Sequence, residues 1–423
     1  MNDLSEDNTN GTDNVQSDHE LSNGVTIGND YSLLDVLNED STDSQLSDTI
    51  GDTVFSRHWL FKCLVNTVKL INKEGNNQTN DDENISQEPI ELDDKSEEEL
   101  SILWDMSANE DVMSFLNDIK AIDLFETIIV RTNSPRFAEI TAGILANIAI
   151  NRDICLNLAN RPNFRQLIID TISSSDIPFV IQIVRIISTC LSNEEVKSLW
   201  LQTIKDNSHQ FLHNIQYTFE NCLNCDLLKS IVLLINKIVY LDDQFVNIWI
   251  TYDTRYETVK CLLNAGQQLV DEDSENIEFI DYIWLIIHSL SLLRDDFTEC
   301  HLICNRNELL SLFCQYIIDS FGDSVDYVIA SAHRAGSLSA AISLINQMLC
   351  LSTYSSVEQL FDPQMLDCLR QIHLNCDEYI KQLATEASHD VNYQLALDAL
   401  KAIQKSVQNL AQKRRNSCLE KSI

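Results

Sequence analysis

The sequence predicts an all-α chain, an armadillo- or HEAT-like helical-repeat solenoid preceded by a disordered acidic arm. Three observations carry this prediction. Glycine and proline are scarce, nine and five in 423 residues, against average usage of roughly 7% and 5%. Turn-rich β folds and phosphate-binding loops need glycine, so the deficit favours long helices with short connections. Apolar residues recur at helical spacing through most of the chain after residue 96. One helical pattern also returns after 42 residues: "NSPRFAEITAGILANIAINRDICLNLA" (133–159) is echoed by "SSDIPFVIQIVRIISTCLSNEEVKSLWL" (174–201), with Asn151 matching Asn193. Periods of about 40–47 residues belong to helix pairs or triplets stacked in line.

The elements follow in order. Residues 1–50 are rich in Asn, Asp, Ser and Thr and cannot bury enough apolar area to offset their ordering entropy, so they read as a disordered arm. Residues 51–73 read as a helix. Phe61, Leu64, Val65, Val68 and Ile71 form one stripe, while Phe55, Trp59 and Leu70 fall on roughly the opposite side. A helix apolar on two sides is sandwiched rather than laid on a surface. It is therefore expected to cap the first repeat, leaving Phe55 and Trp59 as its candidate partner-binding residues. Residues 74–95 read as a second disordered acidic linker.

The solenoid is expected over 96–412. Ser96-Glu97-Glu98-Glu99 reads as a capping box, followed by an amphipathic stripe of Val112, Phe115, Leu116 and Ile119. Ser134-Pro135 reads as an N-cap with proline at the first helical position, where its missing N–H costs nothing. A third, looser repeat copy covers Asp226–Ile250, with Asn236 near the place of Asn147. The last helix, Asn392–Gln412, has one apolar face and Lys- and Gln-rich other faces, which suits a terminal cap; a dimerisation helix is the alternative. Residues 413–423 are a basic flexible tail, either an import signal or a solvated helix end.

Charge bounds the partners. The formal net charge is −36, and the first hundred residues carry 24 Asp/Glu against five Lys/Arg. Nucleic-acid binders need a basic stripe to displace counterions, so nucleic acid is not an expected partner; protein partners, basic peptides or proteins among them, are. The start of the sequence lacks a charged and then apolar leader, and the longest apolar window, 283–293, is broken by His288 and two serines. The chain therefore reads as neither secreted nor membrane-spanning.

Catalytic signatures are missing: no G-x-S-x-G, phosphate loop, G-x-G-x-x-G or H-E-x-x-H occurs. Ser56 and His58 stand two apart on a helix and face different ways. His209, His213, Cys222 and Cys225 have spacing that zinc accepts, but the two thiols also fit a helix–helix junction where they simply pack. The expectation is no enzyme, no metal and no cofactor. Trp200 and Trp249 are read as core residues, with a groove lining as the alternative.

Three stretches are distinctive: "GDTVFSRHWLF" (51–61), "LWDMSANEDVMSFL" (103–116) and "GILANIA" (143–149). Together they resemble the serum-amyloid-A-like protein family over residues 51–201. The resemblance implies an armadillo-type fold and a nuclear or nucleocytoplasmic protein linked to cell proliferation after inflammatory stimuli, and it brings no catalytic residues. In armadillo folds an asparagine on the last helix of a repeat can bond the backbone of an extended peptide. By this resemblance Asn147, and secondarily Asn236, are candidate partner-binding residues; the other reading of Asn147 is a bond within its own repeat. The functional expectation is a noncatalytic scaffold that binds proteins. Its alternative is a transport adaptor or chaperone-like binder of basic clients, autoinhibited by the acidic arm.

Overall fold

The computed structural model describes residues 48–77, 90–253, 257–273, 276–293, 296–321, 332–351, 369–374, 380, 398 and 401–409. The arm before residue 48, most of the 74–95 linker and the basic tail lie outside the described residues, as does most of the final helix. Within that helix, Ile403 and Val407 are buried. Among the described residues there is no strand, only a single bridge between Thr49 and Ser56.

The helices are α1 (Arg57–Asn77), α2 (Asp94–Met106), α3 (Glu110–Asp118), α4 (Ala121–Arg131), α5 (Pro135–Ile148), α6 (Arg152–Ala159), α7 (Pro162–Thr171) and α8 (Ile177–Leu191). They continue with α9 (Lys197–Asp206), α10 (Ser208–Asn221), α11 (Cys225–Leu241), α12 (Asp243–Tyr252), α13 (Thr258–Glu272) and α14 (Ile277–Ser291). A π-helical turn (Thr298–Leu302), α15 (Arg306–Phe321) and α16 (Ala332–Leu351) follow. From α2 to α14, each helix of one series stacks on the helix three before it. The inner ladder thus runs α2, α5, α8, α11, α14, with α16 as its last rung. Helices α10, α13 and α15 stack similarly as a second layer. This is an armadillo/HEAT-like solenoid.

The repeat shows in the polar caps as well as in the packing. Each of the first three rungs is followed by an asparagine whose side chain accepts backbone amides. Asn109 and Asn151 cap the next helix, Asn109 accepting from the amides of Asp111 and Val112 and Asn151 from those of Asp153 and Ile154, while Asn193 accepts from the Glu195 amide in the turn before α9. After α11 the same job falls to Asp242, which accepts from Gln244 and Phe245. A short side-chain acceptor at this position satisfies amides that have no partner within the helix. Side chains also join neighbouring repeats: Arg152 grips Glu195 in a two-point ion pair, Arg161 bonds Asp123, and Gln166 and Asn207 bond each other.

Three boundaries differ from the sequence expectation. Helix α1 begins at Arg57, because residues 51–56 form a turn closed by the bridge between Thr49 and Ser56. The first solenoid helix starts at Asp94, and its cap is Asp93 rather than Ser96. Asp93 accepts from both the amide and the hydroxyl of Ser96 (3.1 and 2.7 Å), and these bonds hold its carboxyl below the usual range. A carboxylate opposite a helix N-terminus gains from the dipole as well as from the bond, so it outcompetes the serine three residues on. Helix α1 also runs past residue 73, to Asn77. The reason is Glu74, which is only 7% exposed and accepts from Thr132 Oγ1 (2.9 Å) and the Asn133 amide (3.2 Å). What reads as the start of an acidic linker is a buried tie between α1 and the end of α4.

The three distinctive stretches converge at this end of the ladder. Gly51 adopts φ +53°, where a side chain is disfavoured, and any β-carbon there would meet Asp111, whose Oδ2 lies 2.5 Å away. That same Oδ2 accepts from the Asp52 amide. Phe61 packs edge-on against Phe115, with ring centroids 5.5 Å apart. Helix α1 lies on α2 and α4.

Candidate functional site

The rungs of the ladder carry polar side chains that reach back to the rung before. Asn147, on α5, donates to the Trp104 carbonyl (3.1 Å) and to Ser107 Oγ (3.0 Å) at the end of α2. Its Oδ1 accepts from Arg185 of α8 (3.0 Å), which also bonds Gln182. One rung further, Lys237 of α11 donates to the Ser188 carbonyl (3.0 Å) and to Ser192 Oγ (2.6 Å) at the end of α8. A cation there also complements the negative end of the α8 dipole.

Beyond these contacts the ladder opens into a cleft of about 490 Å³ between α8, α11 and α14. Arg185 and Ser188 line one side, Tyr282 the other, and Leu233, Asn236, Lys237 and Tyr240 the floor. Tyr240 is 86% exposed and Leu233 40%, and the two stand together on the floor of one cleft. The Asn236 amide makes no hydrogen bond among the described residues. Burial pulls the Arg185 guanidinium and the Lys237 ammonium below their ordinary values, and no carboxylate charge offsets this.

The four residues singled out by sequence fall in two places. Phe55 and Trp59 sit half-buried against the core at the start of α1, where Val54 stands out in solvent. Asn236 lines the ladder cleft. Asn147 lies on the ladder too, but both N–H groups of its amide are spent on α2. Arg185 and Lys237 are the site residues that sequence reasoning missed. Their signal was a lone cation inside an otherwise apolar helix, "FVIQIVRIIST" and "IVLLINKIVYL".

Other chemistry finds little support. Ser56 caps α1 by accepting from the Trp59 amide, and the His58 amide donates to Asp48. His209 and His213 line a second cleft of about 610 Å³ with Tyr217 and Tyr252, while Cys222 and Cys225 lie at the α10–α11 junction. Burial pushes the Cys225 thiol up to about 11. No group of three or more His, Cys, Asp or Glu among the described residues is arranged to hold a metal ion. Trp200 and Trp249 are wholly buried. No described helix is long and apolar enough to cross a membrane.

Known proteins resemble the chain over most of its length. A family model described as the SAAL1 C-terminal domain matches residues 211–422, half of the chain. Protein SAAL1 of Homo sapiens is 28% identical over 357 residues, covering 79% of this chain and 73% of its own length. Protein SAAL1 of Mus musculus is 31% identical over 272 residues, 61% of this chain and 56% of its own. Protein saal1 of Danio rerio is 25% identical over 368 residues, 83% and 74% respectively. The motifs legible by eye end near residue 201, just before the matched domain begins, and the relatives cover both regions. With the solenoid and its three converging motifs, these matches place the chain in the SAAL1, serum-amyloid-A-like, family.

Proposed function

We propose that the chain is a noncatalytic scaffold that binds protein segments along the open face of its inner ladder, and that it works in the nucleus or between nucleus and cytoplasm. The observation that carries this is the cleft over α8, α11 and α14. There an unbonded amide, Asn236, stands beside exposed Leu233 and Tyr240. An extended peptide supplies what such a surface lacks: backbone groups for the amide and side chains to cover the apolar pair. The helical-repeat fold and the family support the noncatalytic reading. The proposed compartment and a link to proliferation rest on the family resemblance alone.

A transport adaptor or chaperone for basic clients is the second reading, and the net charge of −36 favours it. The cleft favours it less, because Arg185 and Lys237 line it. The test is proximity labelling in cells with the full chain and with a Leu233→Asp/Tyr240→Ala variant. The scaffold reading expects a nuclear or nucleocytoplasmic pattern from which a defined set of labelled proteins drops out in the variant. An unchanged set would remove the ladder cleft as the binding face.

A further inference from the structure

Arg185 and Lys237 line one cleft, and neither pairs with a carboxylate among the described residues. In a sequence of 65 Asp/Glu and only 29 Lys/Arg, Arg136, Arg152, Arg161, Lys197, Lys205 and Lys229 each do, at 4.0 Å or closer. Like Arg165, Arg185 and Lys237 bond only neutral acceptors: Asn147, Gln182, the Ser188 carbonyl and Ser192. Unlike it, they stand together on an open cleft with their charge disfavoured by burial. A guanidinium has five N–H donors and an ammonium three, so each cation is held in place with donors to spare. No carboxylate lines the cleft among the described residues. Two act on Tyr282 from its own helix: Glu278, and Asp281, which is buried, bonded to Tyr316 and paired with Arg334.

We propose that the ladder cleft docks an extended acidic peptide segment, with carboxylates on Arg185 and Lys237 and an apolar or aromatic side chain over Leu233 and Tyr240. This deepens the scaffold reading and rests on it. Charge complementarity selects the occupant: a basic segment would bring its charges against two cations already partly desolvated, whereas an acidic one supplies the missing counter-charge. The geometry also sets a spacing. Arg185 and Lys237 sit on adjacent rungs, and packed helix axes lie ~8–10 Å apart. At ~3.3 Å per residue of extended chain, the two carboxylates belong two or three residues apart. The Asn236 amide, beside Lys237 on α11 and lining the same cleft, is available to bond the segment's backbone.

The test uses the full chain and fluorescein-labelled 12-residue peptides read by anisotropy. One peptide carries two Glu three residues apart, flanked by Leu and Tyr; its counterparts carry Lys or Gln at the two Glu positions. The Glu peptide is expected to bind at least about tenfold more tightly than the Lys peptide. Arg185→Gln and Lys237→Gln should each weaken it at least about fivefold, Arg185→Lys should restore most of the loss, and Arg152→Gln, outside the cleft, should change nothing. Thermal unfolding of each variant separates loss of fold from loss of binding, and the Arg185→Lys rescue keeps the test valid if the Gln variant is destabilised. Equal or tighter binding of the Lys peptide would overturn the proposal, as would Glu-peptide binding indifferent to both Gln variants. Partners lost on Leu233→Asp/Tyr240→Ala but kept on Arg185→Gln and Lys237→Gln would leave the scaffold reading standing and remove the acidic occupant.

Discussion

The indole of Trp104 occupies the space that a β-carbon on Gly143 would need. Its Nε1 lies 2.6 Å from that position, and Cε2 and Cζ2 lie closer still. Adjacent rungs α2 and α5 approach closely here because residue 143 has no side chain. In a helix interior, Gly→Ala ordinarily stabilises by about 0.5–1 kcal/mol. Here the sign is expected to reverse: Gly143→Ala should destabilise by about 1–3 kcal/mol, the usual penalty for overpacking. Urea unfolding of Gly143→Ala, Trp104→Leu and the double variant checks this. The second substitution should recover much of what the first loses, and additive losses would mean the contact is not the cause.

That contact also explains why some of the fold was legible in sequence and some was not. Trp104, Gly143, Gly51 and Asp111 belong to the distinctive stretches, and they are distinctive because each fills or vacates space for another. Helix period and glycine scarcity were enough for the all-α solenoid, since both follow from backbone geometry alone. Boundaries were harder. Ser96 and Asp93 are both good caps on paper, and only the folded chain shows which carboxylate or hydroxyl meets the free amides. Glu74 looked solvated because its partners, Thr132 and Asn133, lie in another helix end. At the cleft, Asn236 was legible but Lys237 was not. A lysine in an apolar helix reads as a snorkelling side chain until its neighbours prove to be neutral.

Asn147 ties three rungs together, and removing it should be felt in stability. Asn147→Ala deletes two donated bonds to α2 and leaves Arg185 without its Asn147 acceptor. A loss of about 1–3 kcal/mol is expected, the range for stranding partly buried polar groups. Asn147→Asp should be intermediate. It keeps an acceptor for Arg185 and gains charge attraction, but it cannot donate to the Trp104 carbonyl. Chemical denaturation orders the three proteins, and Asn147→Asp falling below Asn147→Ala would contradict the assignment.

Glu74 should matter more than a residue in an acidic linker would. Glu74→Ala strands the Thr132 hydroxyl and the Asn133 amide at the end of α4, with an expected loss of about 1–3 kcal/mol. Glu74→Gln keeps an acceptor oxygen and should lose less. Hydrogen exchange localises the effect: protection should fall in α1 and around residues 132–134 first. An exchange pattern unchanged at both places would mean α1 is held by its apolar stripe alone.

Asp281 gives the chain a pH dependence whose sign follows from its surroundings. Burial pushes its carboxyl up to about 6, against the opposing pull of the Tyr316 hydroxyl, 2.5 Å away, and of the Arg334 charge. An unfolded aspartate titrates near 4, so between about pH 4 and 6 the folded chain holds a proton that the unfolded chain has released. Stability from this group is therefore present at the acid end and is lost as pH rises through that window. The many other carboxylates shape the total profile, so the informative quantity is the difference between the parent and Asp281→Asn. The asparagine keeps an acceptor for Tyr316 and does not titrate. The variant should gain on the parent by on the order of 2–3 kcal/mol between pH 4 and pH 7, read from unfolding midpoints at each pH. A difference constant across that range would mean that Arg334 and Tyr316 hold the carboxyl ionised throughout, making α14, α15 and α16 a permanently charged joint.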